Sequence, residues 1–245
     1  MTARLAFADA GEAADLAAFL SRLIHYDRAA AVRLQAGAAG GGAGPGGAHS
    51  LAVFGRPPSF EVLAIRTARL ATPAALDVTV SAGELLESVD ETTGTAAVPA
   101  AVTGPPWAGL LPPRSGWRQV QGLPAPEAIR SAVAAVVAEF RARTEGLAAD
   151  RRTRAEFDRI GREIWSRPVG DTELPVRAAH AAQSLGFLRP VRVAVPDFGT
   201  AGGPGEPLAL LAAGSWLRLR TPYGSVAVRR ATESIGLGGL SVTPA

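Results

Sequence analysis

The chain lacks two residue types altogether. Its 245 residues include no cysteine, and all 25 basic residues are arginine, so lysine is absent as well. Without cysteine the chain offers no disulfide, thiolate nucleophile, iron–sulfur cluster or Cys-ligated zinc. Without lysine it offers neither Schiff-base chemistry nor the lysine of a P-loop. Enzyme and cofactor-binding classes that depend on these side chains are therefore excluded for this chain.

Aromatic and charged residues are scarce. Only 6% of the residues are aromatic although 47% are hydrophobic, so we expect a core built mainly from Leu, Val and Ala. The charged fraction of 19% argues against extensive disorder. The net charge of +3 is small, whereas nucleic-acid-binding proteins usually carry a concentrated basic patch.

Long apolar runs are missing too. Asp9, Glu12 and Asp15 interrupt the region where a signal peptide needs continuous apolar residues. The longest clean apolar stretch, residues 132–138, is far shorter than the ~20 residues that span a bilayer. We therefore expect a cytoplasmic protein without a membrane segment.

Start signals and periodicity predict the elements of the first half. Asp9 with Glu12 resembles a capping box and opens a helix whose apolar residues recur on one face. Alternation and turn signals predict strands at residues 31–36, 51–56, 60–67 and 77–80, with a Gly-rich loop at 37–47. Ser81 with Glu84 makes a second capping box before a short helix.

The second half begins with a Pro-rich segment. Residues 90–124 lack periodicity, but Trp107 and Trp117 indicate that they lie against the fold. Apolar stripes through Val133 and Ile160 predict two long helices, and a third helix is expected from Thr172 to Gly186. Strands are predicted at residues 190–195, 216–221 and 225–230.

These elements predict an α+β fold with antiparallel sheet packed by helices. Residues 12–67 and residues 174–230 are each expected to form an αβββ unit with the same order of elements. The Gly-rich loops 37–47 and 199–205 would then occupy equivalent places, and the two long helices would connect the units. The alternative is chance, because α+β chains often reuse this order. We expect an N-terminal unit at 1–92, a Pro-rich connection at 93–124 and a C-terminal unit at 125–245.

Motifs for known chemistry are weak. Gly42, Gly44 and Gly47 spell G-x-G-x-x-G, but a strand follows where the dinucleotide fingerprint needs a helix, which favours a flexible hairpin loop. His25, His49 and His180 have no partner at metal-ligand spacing, so packing roles are expected. No metal site, catalytic residue or cofactor is predicted, although carboxylates could still meet in space.

The last three strands carry the most suggestive pattern. If their Leu and Val residues face the core, alternation turns the arginines and one tryptophan to the opposite face. The predicted binding residues are Arg192, Trp216, Arg218, Arg220 and Arg229, with Tyr223 at the turn. The forked guanidinium group of arginine recognises carboxylate or phosphate, and tryptophan together with arginine is typical of binding hot spots. The alternatives are a solvated sheet face and a face covered by the Pro-rich segment or by helices.

Three functional hypotheses follow. The first is a non-catalytic cytoplasmic protein that binds a partner with an acidic surface through this Arg/Trp sheet face. The second is a winged-helix DNA-binding regulator, with Arg177, His180 and Gln183 on the recognition helix, although the remaining alanine face is poor for DNA contacts. The third is an enzyme that uses carboxylates and arginine on a small anionic substrate.

Overall fold

The computed structural model of the chain describes residues 3–37, 49–190 and 208–230. The five helices of this part are α1 (Ala10–Tyr26), α2 (Ala82–Ser88), α3 (Pro126–Glu145), α4 (Arg154–Trp165) and α5 (Val176–Ser184). The strands are β1 (Arg4–Ala6), β2 (Ala31–Ala36), β3 (Ser50–Gly55), β4 (Leu63–Arg69), β5 (Leu76–Ser81), β6 (Val89–Asp90), β7 (Thr95–Ala97), β8 (Arg118–Val120), β9 (Ala209–Ala213), β10 (Trp216–Thr221) and β11 (Gly224–Arg229). The fold is α+β, as predicted.

A single antiparallel sheet joins the two halves of the chain. Its eight strands run in the order β5-β2-β3-β4-β11-β10-β9-β8. The halves meet where β4 pairs with β11, with Ser225 opposite Ile65 and Ala227 opposite Leu63. A second, three-stranded sheet has the order β1-β7-β6. The halves therefore share one continuous hydrogen-bonded layer.

Helices cover one face of the large sheet and form the main core there. Leu16, Phe19 and Leu20 of α1 are buried together with alternate residues of β2, such as Val32 and Leu34. On the C-terminal half, α5 packs on β10 and β11, and its alanines are buried. The two long helices α3 and α4 pack against each other and against α5. The opposite side of the sheet, which we call the outer face, has a much smaller apolar cluster.

The predicted starts of α1 and α2 and the predicted glycine end of α5 are confirmed, whereas α5 begins only at Val176, with Pro175 as its N-cap, and not directly after Thr172. The Asp9 side chain accepts a hydrogen bond from the backbone N–H of Glu12 at 3.0 Å, and Ser81 caps α2 in the same way. At the end of α5, Gly186 has a φ of +75°, and the N–H of Phe187 donates to the carbonyl of Ala182. This is a Schellman motif, in which glycine adopts the left-handed conformation without strain.

The sequence did not predict β9. Its residues Ala-Leu-Leu-Ala-Ala do not alternate, because this strand is almost fully buried on both faces. With β9 included, the two halves have the same order of elements, α1-β2-β3-β4 and α5-β9-β10-β11. In each half the first of the three strands lies next to the edge strand and the third lies at the centre of the sheet. Residues 199–205 precede β9, whereas residues 37–47 connect β2 to β3. The expected equivalence of the two Gly-rich loops is therefore wrong.

Some predictions fall outside the described residues. The strand expected at 190–195 does so apart from its first residue, and so do the glycines of the G-x-G-x-x-G pattern. Within the described residues, no helix is both long enough and apolar enough to cross a bilayer.

Candidate functional site

Strand alternation places the predicted Arg/Trp residues on the outer face. Leu217 and Leu219 of β10 are buried in the main core. The residues that alternate with them, Trp216, Arg218 and Arg220, therefore project to the outer face. The register sets Arg229 of β11 directly opposite Trp216. These four residues therefore share one face, whereas Arg192 lies outside the described residues.

Tyr223 lies in the turn between β10 and β11, as predicted, but on the helix side of the sheet. Its ring packs against the main core, and the Arg189 guanidinium lies 3.7 Å from the ring centroid. Its hydroxyl donates to the carbonyl of Pro190 at 3.2 Å. The alternation of a strand does not extend into the turn between β10 and β11, so the side of a turn residue could not be derived from parity.

The Pro-rich segment crosses the outer face. We call residues 105–117 the strap. Trp107 and Leu111 of the strap pack with Trp216 on the small apolar cluster formed by Phe54, Leu63, Ile65 and Ala227. Arg33 of β2 donates to the carbonyl of Ala108 and pairs with Asp77, which ties the strap to the N-terminal strands. Of the alternatives that the sequence left open, coverage by the Pro-rich segment holds for this part of the face.

The arginines of the outer face have different surroundings. Arg218 donates to the Ser225 hydroxyl at 2.9 Å, and its guanidinium lies 5.8 Å from the centroid of the Trp117 ring. Arg229 lies over the Trp216 ring at 4.8 Å and reaches the Ser215 hydroxyl at 3.5 Å. Within the described residues no carboxylate forms a salt bridge with Arg229. Its positive charge therefore lies against an aromatic ring and is not neutralised by any described carboxylate.

A cleft of about 370 Å³, which we call the strap cleft, lies between the strap and β11. Trp107 and Leu110 form one wall, and Trp216 with Arg229 forms the other. Leu110 is 61% exposed, one of only three large hydrophobic residues exposed in the described part of the chain. The charged side chains at this cleft are those of Arg56, Arg177, Arg229 and Glu61. The net charge of the side chains around the cleft is thus positive, and its apolar surface comes from Trp107, Leu110 and Trp216.

A second, larger cleft lies between α4, α5 and the turn that leads into β4. We call this space of about 960 Å³ the aromatic cleft. Its side chains include Phe60, Phe140, Phe157, Trp165 and His180. The His180 ring stacks on Trp165 with centroids 4.8 Å apart and meets the edge of Phe60 at 5.1 Å. Burial lowers the pKa of His180 below its usual value of 6.5, so the ring is neutral at pH 7.

The residues of the DNA-binding hypothesis lie on α5. Arg177 and His180 line the aromatic cleft, and Gln183 is exposed. Five of the nine residues of α5 are buried against the sheet and the neighbouring helices. A recognition helix has to present an open face to the major groove. The packing of α5 therefore gives this hypothesis no support.

The sequence reasoning missed a charge network on the helix side of the sheet. Arg66 of β4 is buried and donates to Glu12 at 2.9 Å and to Asp15 at 3.3 Å. Arg69 also binds Glu12, and Arg189 binds Asp15 at 2.5 Å. Asp9, Glu12 and Asp15 do follow a three-residue spacing on α1, but nothing local indicates their partners. Among the described residues, no group of three His, Asp or Glu side chains is arranged to hold a metal ion.

Two family models match the chain. Residues 1–109 match a family described as Domain of unknown function (DUF8010), and residues 112–233 match one described as Domain of unknown function (DUF8185). The boundary between the two matches falls within the strap, although the large sheet continues across both matched regions. No curated protein and no solved structure matches the chain.

Proposed function

We propose that the protein is a non-catalytic interaction module that binds an acidic segment of a partner protein at the strap cleft. The observation that carries this proposal is Arg229, which lies on the Trp216 ring at the rim of a cleft with an exposed Leu110. The setting we propose is the cytoplasm, on the sequence grounds given above.

Charge complementarity supports an acidic partner. Three arginines and one glutamate surround the cleft. A guanidinium held by a ring keeps its hydrogen-bond donors directed outward, and it loses little side-chain entropy when a carboxylate binds. Carboxylates of a partner segment are the natural counterpart of such a group.

The apolar wall indicates that the segment also carries hydrophobic side chains. Trp107 and Trp216 supply large rigid surfaces, and the exposed Leu110 lines the same cleft. Tryptophan and arginine together are enriched among the residues that dominate interface energetics. A segment that alternates glutamate with leucine meets both features, because it offers apolar anchors and carboxylates at short spacing.

Calorimetric titration of the full chain with an unlabelled eight-residue peptide of alternating glutamate and leucine tests the proposal. We expect binding, and we expect Arg229→Ala to weaken it roughly tenfold or more, since a hydrogen bond to a charged group contributes about 1.5–3 kcal/mol. Arg141→Ala is the matched control because it removes the same charge from an exposed position of α3 that lines neither cleft. A peptide with lysine in place of glutamate should not bind.

Three outcomes would overturn the proposal. The first is a peptide that does not bind at millimolar concentration. The second is an equal loss of affinity in Arg229→Ala and Arg141→Ala, which would mean attraction by overall charge alone. The third is tighter binding of duplex DNA than of the peptide in the same buffer, together with weaker DNA binding by the Arg177→Ala variant. That result would favour the DNA-binding alternative.

A further inference from the structure

The aromatic cleft has the composition of a small-molecule site, and the protein-binding proposal uses only Arg177 and Glu61 of its lining. Its volume of about 960 Å³ falls within the range of roughly 300–1,000 Å³ that is usual for ligand pockets. Phe140, Phe157 and Trp165 line it and are only half-buried, although nothing in the described part of the chain covers them further. A planar apolar group of a ligand could pack on these rings.

Two arginines in this cleft have weakly satisfied guanidinium groups. Within the described residues Arg162 forms no salt bridge, and Arg177 has only Glu61, whose Oε2 lies 3.9 Å from the Arg177 Nε. That Nε is buried and has no hydrogen-bond partner among the described residues. A buried polar atom without a partner costs free energy, so the Arg177 guanidinium is only partly satisfied within the described residues.

The other charges of the cleft leave these two arginines as the anion-binding groups. Arg154 and Asp158 already face each other at 3.8 Å on the outer rim. His180 is neutral at pH 7, because burial lowers its pKa, and its ring is held between Trp165 and Phe60. The lining therefore combines aromatic surface with a small excess of positive charge.

We propose that the aromatic cleft binds a small molecule that carries an aromatic ring next to an anionic group, either carboxylate or phosphate. The ring packs on Phe157 and Trp165, and the anion pairs with Arg162 and Arg177. Arg177 and Glu61 line both clefts, but the inference does not rest on the proposed protein interaction, because Arg229 and the strap lie outside the aromatic cleft.

The test is an NMR titration of the full chain with phenyl phosphate, inorganic phosphate and phenol as separate probes. Phenyl phosphate should shift the indole N–H resonance of Trp165 and bind at least tenfold more tightly than either fragment, because only it engages both the rings and the arginines. Phenyl carboxylate, as benzoate, shows whether phosphate or carboxylate is preferred, and binding of either probe supports the site.

Variants separate a built site from general attraction. Arg162→Ala and Arg177→Ala should each weaken phenyl phosphate about tenfold, since each removes one charged hydrogen bond. Phe157→Ala should weaken phenyl phosphate but leave inorganic phosphate unchanged. Arg141→Ala and Arg229→Ala should have no effect, which keeps this test distinct from that of the strap cleft. Circular dichroism identifies any variant that fails to fold.

The inference is overturned if neither aryl anion binds, if phenol binds as tightly as phenyl phosphate, or if both cleft arginines can be replaced without loss. Loss of peptide binding in Arg229→Ala together with intact phenyl phosphate binding would show two separate sites. Phenyl phosphate binding by a chain that does not bind the peptide would remove the protein-interaction proposal and leave this inference standing.

Discussion

Replacing Arg66 should destabilise the protein far more than replacing its neighbour Arg69. The Arg66 side chain is 8% exposed, and it binds Glu12, which is 13% exposed, and Asp15, which is 30% exposed. It also donates to the carbonyl of Tyr223 at 3.2 Å, so it connects α1 to the turn between the last two strands. Arg69 shares Glu12 but is 58% exposed.

The magnitude follows from these exposures. Removing one member of a buried ion pair costs about 3–5 kcal/mol, because the other charge is left buried without compensation. Glu12 keeps Arg69 and Asp15 keeps Arg189, so we expect Arg66→Met to cost about 2–4 kcal/mol, about 1 kcal/mol less than that range. For a chain of this length 1 kcal/mol corresponds to about 2–4 °C in Tm. Arg69→Met should cost about 0–1 kcal/mol.

Urea denaturation followed by circular dichroism measures both variants. The double variant Arg66→Met with Glu12→Gln should be less destabilised than the sum of its two single variants, since it removes the uncompensated carboxylate together with its partner. Equal effects of Arg66→Met and Arg69→Met, or a cost below about 1 kcal/mol for Arg66→Met, would refute the reasoning that burial decides the contribution of this network.

Further predictions concern His180, Gly186 and the strap. Because burial lowers the folded-state pKa of His180 below 6.5, its contribution to stability is present above that pH and is lost as the pH falls through the folded value; urea melts at pH 7.5 and 5.5 should differ less for His180→Phe than for the unmodified chain. Gly186→Ala should cost about 1–2 kcal/mol in thermal melts because of its φ of +75°, whereas Gly161→Ala inside α4 should be neutral or stabilising. Trp107→Ala should destabilise the chain by about 1–3 kcal/mol, given that this side chain is half-buried, and should abolish calorimetric binding of the glutamate–leucine peptide.

Local signals were sufficient for much of the fold. The caps at Asp9 and Ser81 and the glycine after α5 act through atoms only a few residues apart, so the sequence pattern contains the whole interaction. The face on which Arg218 and Arg220 of β10 lie could also be predicted, because the alternation of side chains along a strand decides it. The α+β class followed from these elements.

Long-range features could not be derived in this way. Arg66 and Glu12 are 54 positions apart, and only the packing of α1 on β4 brings them together. The strand β9 shows no alternation of apolar and polar residues, because both of its faces are covered. A short apolar run of this kind does not by itself predict a strand. The strap cleft needs Leu110 and Arg229 to line the same space, and this depends on the path of a Pro-rich segment without a regular repeat.

Amide hydrogen exchange of the full chain, with and without the glutamate–leucine peptide, tests most directly that the strap cleft is the binding surface. The account predicts slower exchange on peptide addition in residues 106–111 of the strap and in residues 227–229 of β11, with α3 unchanged. Protection confined to α3 and α4, with no change in the strap, would contradict it.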